Sequence, residues 1–126
     1  QTHLQARHWV AVRSGEILPL EALPKGTAVN AVAGIGNPAR FFDTLRSLGL
    51  EVVEHRFADH HVYRAEDLQF NDALPVVMTE KDAVKCVSLT RGTCYALHVQ
   101  MELPAVWLDQ LQKKIEKAFI EKKSGY

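Results

Sequence analysis

Residues 28–49 read AVNAVAGIGNPARFFDTLRSLG, and two structural periods meet inside this stretch. Ala28 to Ala33 is a short apolar run of the kind a buried parallel strand carries. Gly34-Ile35-Gly36-Asn37 interrupts it as a loop. Pro38 suits the first position of a helix, where a missing N–H costs nothing. Phe41, Phe42, Leu45 and Leu48 follow at helical spacing, and Gly49 is a natural stop. Strand, glycine loop and helix in direct succession open an alternating layered pattern.

Downstream the alternation continues. Glu51 to Phe57 reads as the next strand, Ala58 to Val62 as a loop, and Ala65 to Phe70 as a short helical turn. Pro75 to Thr79 is another strand, leading into a segment that turns helical near Asp82 or Ala83. Cys94 to Glu102 is the last strand. Pro104 opens a final helix to about Lys122, with Trp107, Leu111, Ile115 and Phe119 on one face. Upstream, His8 to Val12 and Ile17 to Leu20 flank the turn Arg13-Ser14-Gly15-Glu16 as a hairpin, and Leu23-Pro24-Lys25-Gly26 breaks the chain after it. A lone hairpin is marginal in water, so this one should rest against a neighbour. The expected fold is α/β: a three-layer α/β/α-type domain over 28–126 with a mostly parallel sheet, preceded by a β-hairpin linker over 1–27.

The 126 residues amount to one small domain, and a formal net charge of +0 supplies no global field for nucleic acid or an anionic membrane. No nucleic-acid partner is therefore expected. Cys86 and Cys94 form neither a CxxC pair nor a disulfide framework and read as small core side chains of a reducing compartment. No apolar run approaches the roughly 20 residues of a membrane span. The chain opens at Gln1 rather than Met, which points to an excised domain or a processed product.

Three constellations have chemical potential. Gly34-Ile35-Gly36-Asn37-Pro38-Ala39, between a strand and a helix, lets backbone N–H groups approach an anionic ligand. It matches the G-x-G-x-x-A form of the dinucleotide fingerprint, with Glu51 or Glu54 near the place of the ribose-binding acid. The plain alternative is a tight strand-to-helix turn. Asp59-His60-His61 follows a strand end, where open α/β sheets bind ligands, and suits either metal binding or the tuning of a general base. DHH also marks metal-dependent phosphoesterases, but their additional Asp-rich motifs are missing here. In Thr79-Glu80-Lys81-Asp82, Thr79 reads as a helix cap with Asp82 at the capping-box offset. Lys81 and Lys85 share a helix face and suit a phosphate, or simply a solvated helix start. The lysines of the final helix alternate with Asp109, Glu116 and Glu121, as on a solvated amphipathic face. The chain has no G-x-x-x-x-G-K-[ST] loop, no G-x-S-x-G and no H-E-x-x-H, and so no complete catalytic set.

The blocks Ala31-Val-Ala-Gly-Ile-Gly-Asn-Pro-Ala-Arg-Phe-Phe42 with Leu45 and Leu48-Gly49, Phe57-Ala-Asp-His-His61 with Tyr63, and Pro75-Val-Val-Met-Thr-Glu-Lys-Asp-Ala-Val-Lys-Cys86 together resemble the C-terminal part of tetraacyldisaccharide 4'-kinases. The resemblance spans most of residues 8–122. It implies a lipid A biosynthesis transferase that moves the γ-phosphate of ATP to the 4'-position of tetraacyldisaccharide 1-phosphate. It further implies a kinase of two α/β domains joined by a β-ribbon, at the cytoplasmic face of the bacterial inner membrane. The P-loop and catalytic acids would lie in an N-terminal domain of the same protein, which would bind most of the ATP and Mg²⁺. Its partners would be that domain, the lipid A disaccharide precursor and the membrane surface. On this resemblance His60 supports a catalytic aspartate of the other half, Asp59 neighbours it, and the cofactor-binding candidates Gly34, Gly36, Asn37 and Lys81 lie toward the cleft, against nucleotide, sugar phosphate or only one another. No metal ligand is assigned to this chain. The segment alone would be soluble and inactive. The alternative is a stand-alone nucleotide- or dinucleotide-binding α/β module.

Overall fold

The computed structural model describes residues 3–90, 92–102, 110 and 112–114. In chain order the elements are β1 (His3–Ala11), β2 (Ile17–Leu18), β3 (Ala28–Ala33), α1 (Pro38–Ser47), β4 (Glu51–Arg56), β5 (Val76–Thr79), α2 (Glu80–Ala83) and β6 (Cys94–Glu102). Short 3₁₀ turns occupy Leu20–Ala22 and Ala65–Leu68. The six strands form one sheet in the order β2-β1-β6-β5-β3-β4. β3 pairs in parallel with β4 and with β5, and β5 with β6. Only the hairpin side departs from this. β1 and β2 are antiparallel, with Trp9 opposite Leu18. Val12 donates to the Cys94 carbonyl at the start of β6 while His8 stacks on His98 further along, so β1 runs antiparallel to β6.

The strands of the parallel core alternate between two buried clusters. Val29, Ala31 and Ala33 of β3, Val77 of β5 and Leu97 of β6 meet Phe41, Phe42 and Leu45 of α1 on one face. Val32, Val76, Met78 and Ala96 face the other way, against Tyr63, Ala83 and Cys86. The period of two places helical segments over both faces, the three-layer α/β arrangement the alternation of elements predicts. Cys86 and Cys94 belong to the second cluster, and burial raises both thiols, to about 11 and about 12.

α1 begins and ends where its sequence dictates. Pro38 occupies its first turn, and Gly49 follows its end at φ +86, a backbone angle that favours glycine. The hairpin has the neighbour it needs. β1 lies against β6, and Trp9, 1% exposed, packs into the α1-side cluster with its indole N–H 3.3 Å from the Leu20 carbonyl. β1 and β2 thus share one sheet with β3–β6. Two compact units divide the chain: Ala6–Val99 is one, and 1–5 with 100–126 is the other. In the second unit Gln110 and Gln112–Lys114 are helical and exposed. The rest of the expected helix, including Trp107, Leu111, Ile115 and Phe119, lies outside the described residues.

Candidate functional site

β5, β3 and β4 are adjacent and parallel, so the loops at their carboxyl ends collect along one sheet edge. Register fixes this directly: Ala33 is level with Arg56, and Val32 with Met78. Gly34–Asn37, the loop from Phe57 to Tyr63, and the start of α2 are the three segments that follow. All three constellations singled out in the sequence therefore arrive on the edge where open α/β sheets bind ligands.

Asp82 holds the centre of this edge. It is fully buried, and its Oδ2 accepts the Gly34 N–H at 3.0 Å and the Thr79 hydroxyl at 3.1 Å. Thr79 does cap α2, accepting the Asp82 N–H at 3.1 Å. The capping box expected from the Thr79–Asp82 spacing is nevertheless incomplete, because the Asp82 carboxylate turns to a loop 48 residues away in sequence. Gly34 is required by close approach. A Cβ there would lie 2.5 Å from the Tyr63 hydroxyl and 3.4 Å from the Ala58 carbonyl. Burial first, and then the Asp82 charge, push the Tyr63 phenol well above its ordinary value. The phenol feels that charge without a well-formed hydrogen bond, since both the Tyr63 hydroxyl and Asp82 Oδ1 lack a partner.

The Asp59-His60-His61 triplet splits in two. His61 turns inward, with Nε2 2.9 Å from Asp67 Oδ2 and its ring stacked on Phe57 and edge-on to Tyr63. Hydrogen bonds from His61 and from the Arg64 N–H hold the Asp67 carboxyl below the usual carboxylate range. His60 turns outward: its side chain is 82% exposed, its φ is +63, and its Nε2 lies 3.8 Å from Asp59 Oδ2. The Asp59 carboxylate also accepts the His60 N–H at 3.1 Å, which fixes the left-handed turn. Asp59 reaches towards the glycine loop as well, since a Cβ on Gly36 would stand 3.7 Å from its Oδ2. Among the described residues no group of three or more His, Cys, Asp or Glu side chains is arranged to hold a metal ion.

Gly36, Asn37 and Lys81 are exposed, and Asn37 makes no side-chain cap to α1. The dinucleotide fingerprint loses two of its parts. The Gly34 N–H, the donor such a loop would offer a phosphate, is committed to Asp82. Glu51 sits at the amino end of β4, away from the loop, and Glu54 is paired with Arg46 and Arg56 at 2.6 and 3.0 Å. Those two arginines lower the Glu54 carboxyl pKa.

Two features had no counterpart in the sequence reading. In mid-sheet, buried Asn30 donates to Asp72 at 2.8 Å and meets His55 Nε2 at 2.9 Å. Burial lowers the His55 pKa, against the opposing pull of Asp72. A cleft of about 430 Å³ opens beside the amino ends of β5 and β6, lined in part by Phe70, Asp72, Leu89 and Thr90, away from the strand-end loops. Only the residue types signalled either one, a polar Asn30 within an apolar run and Phe70 at the end of the segment expected as a helical turn.

Fold and site together define an open, mostly parallel α/β domain whose polar loops gather at the carboxyl ends of its central strands. The family model of Tetraacyldisaccharide-1-P 4'-kinase matches residues 1–116. The chain belongs to that family. A tetraacyldisaccharide 4'-kinase of Pseudomonas syringae pv. syringae is 61% identical over 104 residues, covering 80% of this chain and 31% of its own length. That of Azotobacter vinelandii is 54% identical over 90 residues, covering 71% and 27%. The crystal structure of the "apo" form of LpxK from Aquifex aeolicus in complex with ATP superposes with a TM-score of 0.65 at 22% identity, over 94% of this chain and 35% of that one. This chain thus spans about a third or less of the proteins it matches. Among the described residues no helix is long and apolar enough to cross a membrane.

Proposed function

We propose that this chain is the C-terminal part of a tetraacyldisaccharide 4'-kinase, and that the strand-end loops form its side of the catalytic cleft. The observation that carries the reading is the convergence of Gly34–Asn37, Asp59–His60 and Thr79–Asp82 on one sheet edge, in a chain whose family membership extends over residues 1–116. The reaction transfers the γ-phosphoryl group of ATP to the 4'-hydroxyl of the lipid A disaccharide precursor. A sugar hydroxyl is a poor nucleophile, so a base must take its proton while positioning and charge neutralisation do the rest.

The exposed His60 imidazole supports that base, a carboxylate of the N-terminal half, and Asp59 orients His60 through the turn they share. His61 is excluded from this role by its commitment to Asp67. The residues of this chain do not fit the phosphates of ATP by themselves: the chain has no P-loop, and the Gly34 N–H is already taken. ATP and Mg²⁺ therefore belong mainly to the N-terminal half, with Gly36, Asn37 and Lys81 reaching the nucleotide from this side. The hairpin within residues 1–27 connects the halves, and the complete enzyme works at the cytoplasmic face of the inner membrane. The segment alone is inactive.

In the complete kinase, His60→Ala should lower kcat by about 100-fold or more with unchanged thermal unfolding. A rate equal to that of the unmodified enzyme would remove His60 from the mechanism.

A further inference from the structure

The proposed reading leaves the most constrained group on the edge, Asp82, without a part in the reaction. It is fully buried, yet its carboxylate meets the loop after β3 through Gly34 and the cap of α2 through Thr79. Its remaining oxygen, Oδ1, and the hydroxyl of Tyr63 are both buried and both lack a hydrogen-bond partner. Asp82 and Tyr63 both adjoin Gly34: its N–H meets the Asp82 carboxylate, and the Tyr63 oxygen occupies the space a Gly34 Cβ would need. A buried donor and a buried acceptor beside one glycine are each costly while unpaired. Tyr63 ends the loop that carries Asp59 and His60, whose conformation depends on a left-handed His60.

We propose that Asp82 is a positioning residue of the phosphoryl-transfer site: it holds the glycine loop by the Gly34 N–H, takes the Tyr63 hydroxyl on Oδ1, and so sets the His60 loop against the ends of β3 and β5. This rests on the kinase reading. Asp82 acts only through Gly34 and Tyr63, and its burial keeps it from substrate. Misplacing a catalytic loop costs rate without weakening the binding of substrates held elsewhere, so the signature is a loss in kcat with little change in KM.

The test is steady-state kinetics of the complete kinase with ATP and tetraacyldisaccharide 1-phosphate, with rates expressed per folded enzyme. Asp82→Ala should lower kcat about 10- to 100-fold with each KM within about twofold. Asp82→Asn keeps a carbonyl for the Gly34 N–H and should recover most of that loss with an unchanged pH profile. Tyr63→Phe should lower kcat by about threefold, and the Asp82→Ala/Tyr63→Phe double variant should be no slower than Asp82→Ala alone. Folded Asp82→Ala enzyme with the kcat of the unmodified protein overturns the proposal. So does an Asp82→Asn enzyme as slow as Asp82→Ala that has lost one limb of its pH profile, because Asp82 would then be moving a proton. If Asp82→Ala does not fold, Tyr63→Phe decides, and an unchanged kcat there overturns the link. Full activity in His60→Ala removes the His60 role and leaves Asp82 to be judged by its own variants. Absence of any transfer by the unmodified protein overturns both.

Discussion

A methyl group on Gly34 would sit 2.5 Å from the hydroxyl oxygen of Tyr63, a side chain only 6% exposed and packed between Phe57 and His61. The new methyl would have to push this packed phenol out of its place, so Gly34→Ala should destabilise the protein by about 1–3 kcal/mol in denaturant unfolding. Part of that loss should return in the Tyr63→Phe background, where the closest atom is gone. Asp67 makes a pH-dependent prediction. Its folded-state pKa is depressed, so the native state binds fewer protons than the unfolded chain between the folded value and the ordinary value of 3.8. The stabilisation is complete above that window and fades as pH falls through the folded pKa. Asp67→Asn should therefore narrow the stability difference between neutral and strongly acidic pH, read from unfolding midpoints. His55, also depressed, makes the protein lose stability as pH falls below 6.5 towards its folded value, because the unfolded chain takes up the proton first. The same residues show what a sequence conceals. Asp82 stands at the capping-box distance from Thr79, and that local explanation hides a partner 48 residues away. The inward turn of His61 and the outward turn of His60 depend on Asp67 and a left-handed backbone, and neither is written in the letters DHH.

Secondary structure was far more legible, because each boundary has a local cause. β3 and β6 have the bounds that their apolar runs predict, and α1 starts at Pro38 and ends before Gly49 for stereochemical reasons. α2 is the exception: it spans only Glu80–Ala83, beginning directly after Thr79 rather than near Asp82 or Ala83. Beyond it the chain continues in tighter i→i+3 turns, Lys85 to Asp82, Cys86 to Ala83 and Leu89 to Cys86, which carry Ala83, Cys86 and Leu89 into the second buried cluster. Gly49→Ala should cost about 1 kcal/mol through its positive φ, with an added penalty where the new Cβ meets the Lys25 side chain at 2.6 Å. At the hairpin, Trp9→Ala should cost about 3–5 kcal/mol in thermal or denaturant unfolding, because a 1% exposed indole leaves a cavity in the α1-side cluster.

Strand order is the property local patterns could not supply. The order β2-β1-β6-β5-β3-β4 makes the hairpin an extension of the parallel core through β6, the last strand in sequence. Nothing in residues 8–20 identifies that partner, since pairing depends on a strand more than 70 residues away. The same order gathers the three loop motifs on one edge, which spacing along the chain does not reveal. If the catalytic set is divided between two halves of one kinase, the isolated chain should yield no phosphorylated product from ATP and tetraacyldisaccharide 1-phosphate, while the complete protein does. Product from the isolated chain would refute that division.

Among the described residues β4 ends the sheet, with β3 on one side and no strand on the other. An open strand edge invites pairing with a foreign chain, and Val53, 45% exposed, adds an apolar foothold. Glu51, Glu54 and Arg56 interrupt that foothold with charge. Neutralising Glu51 and Glu54 together should thus leave the fold intact and shorten the protein's shelf life, with aggregates that begin at this border.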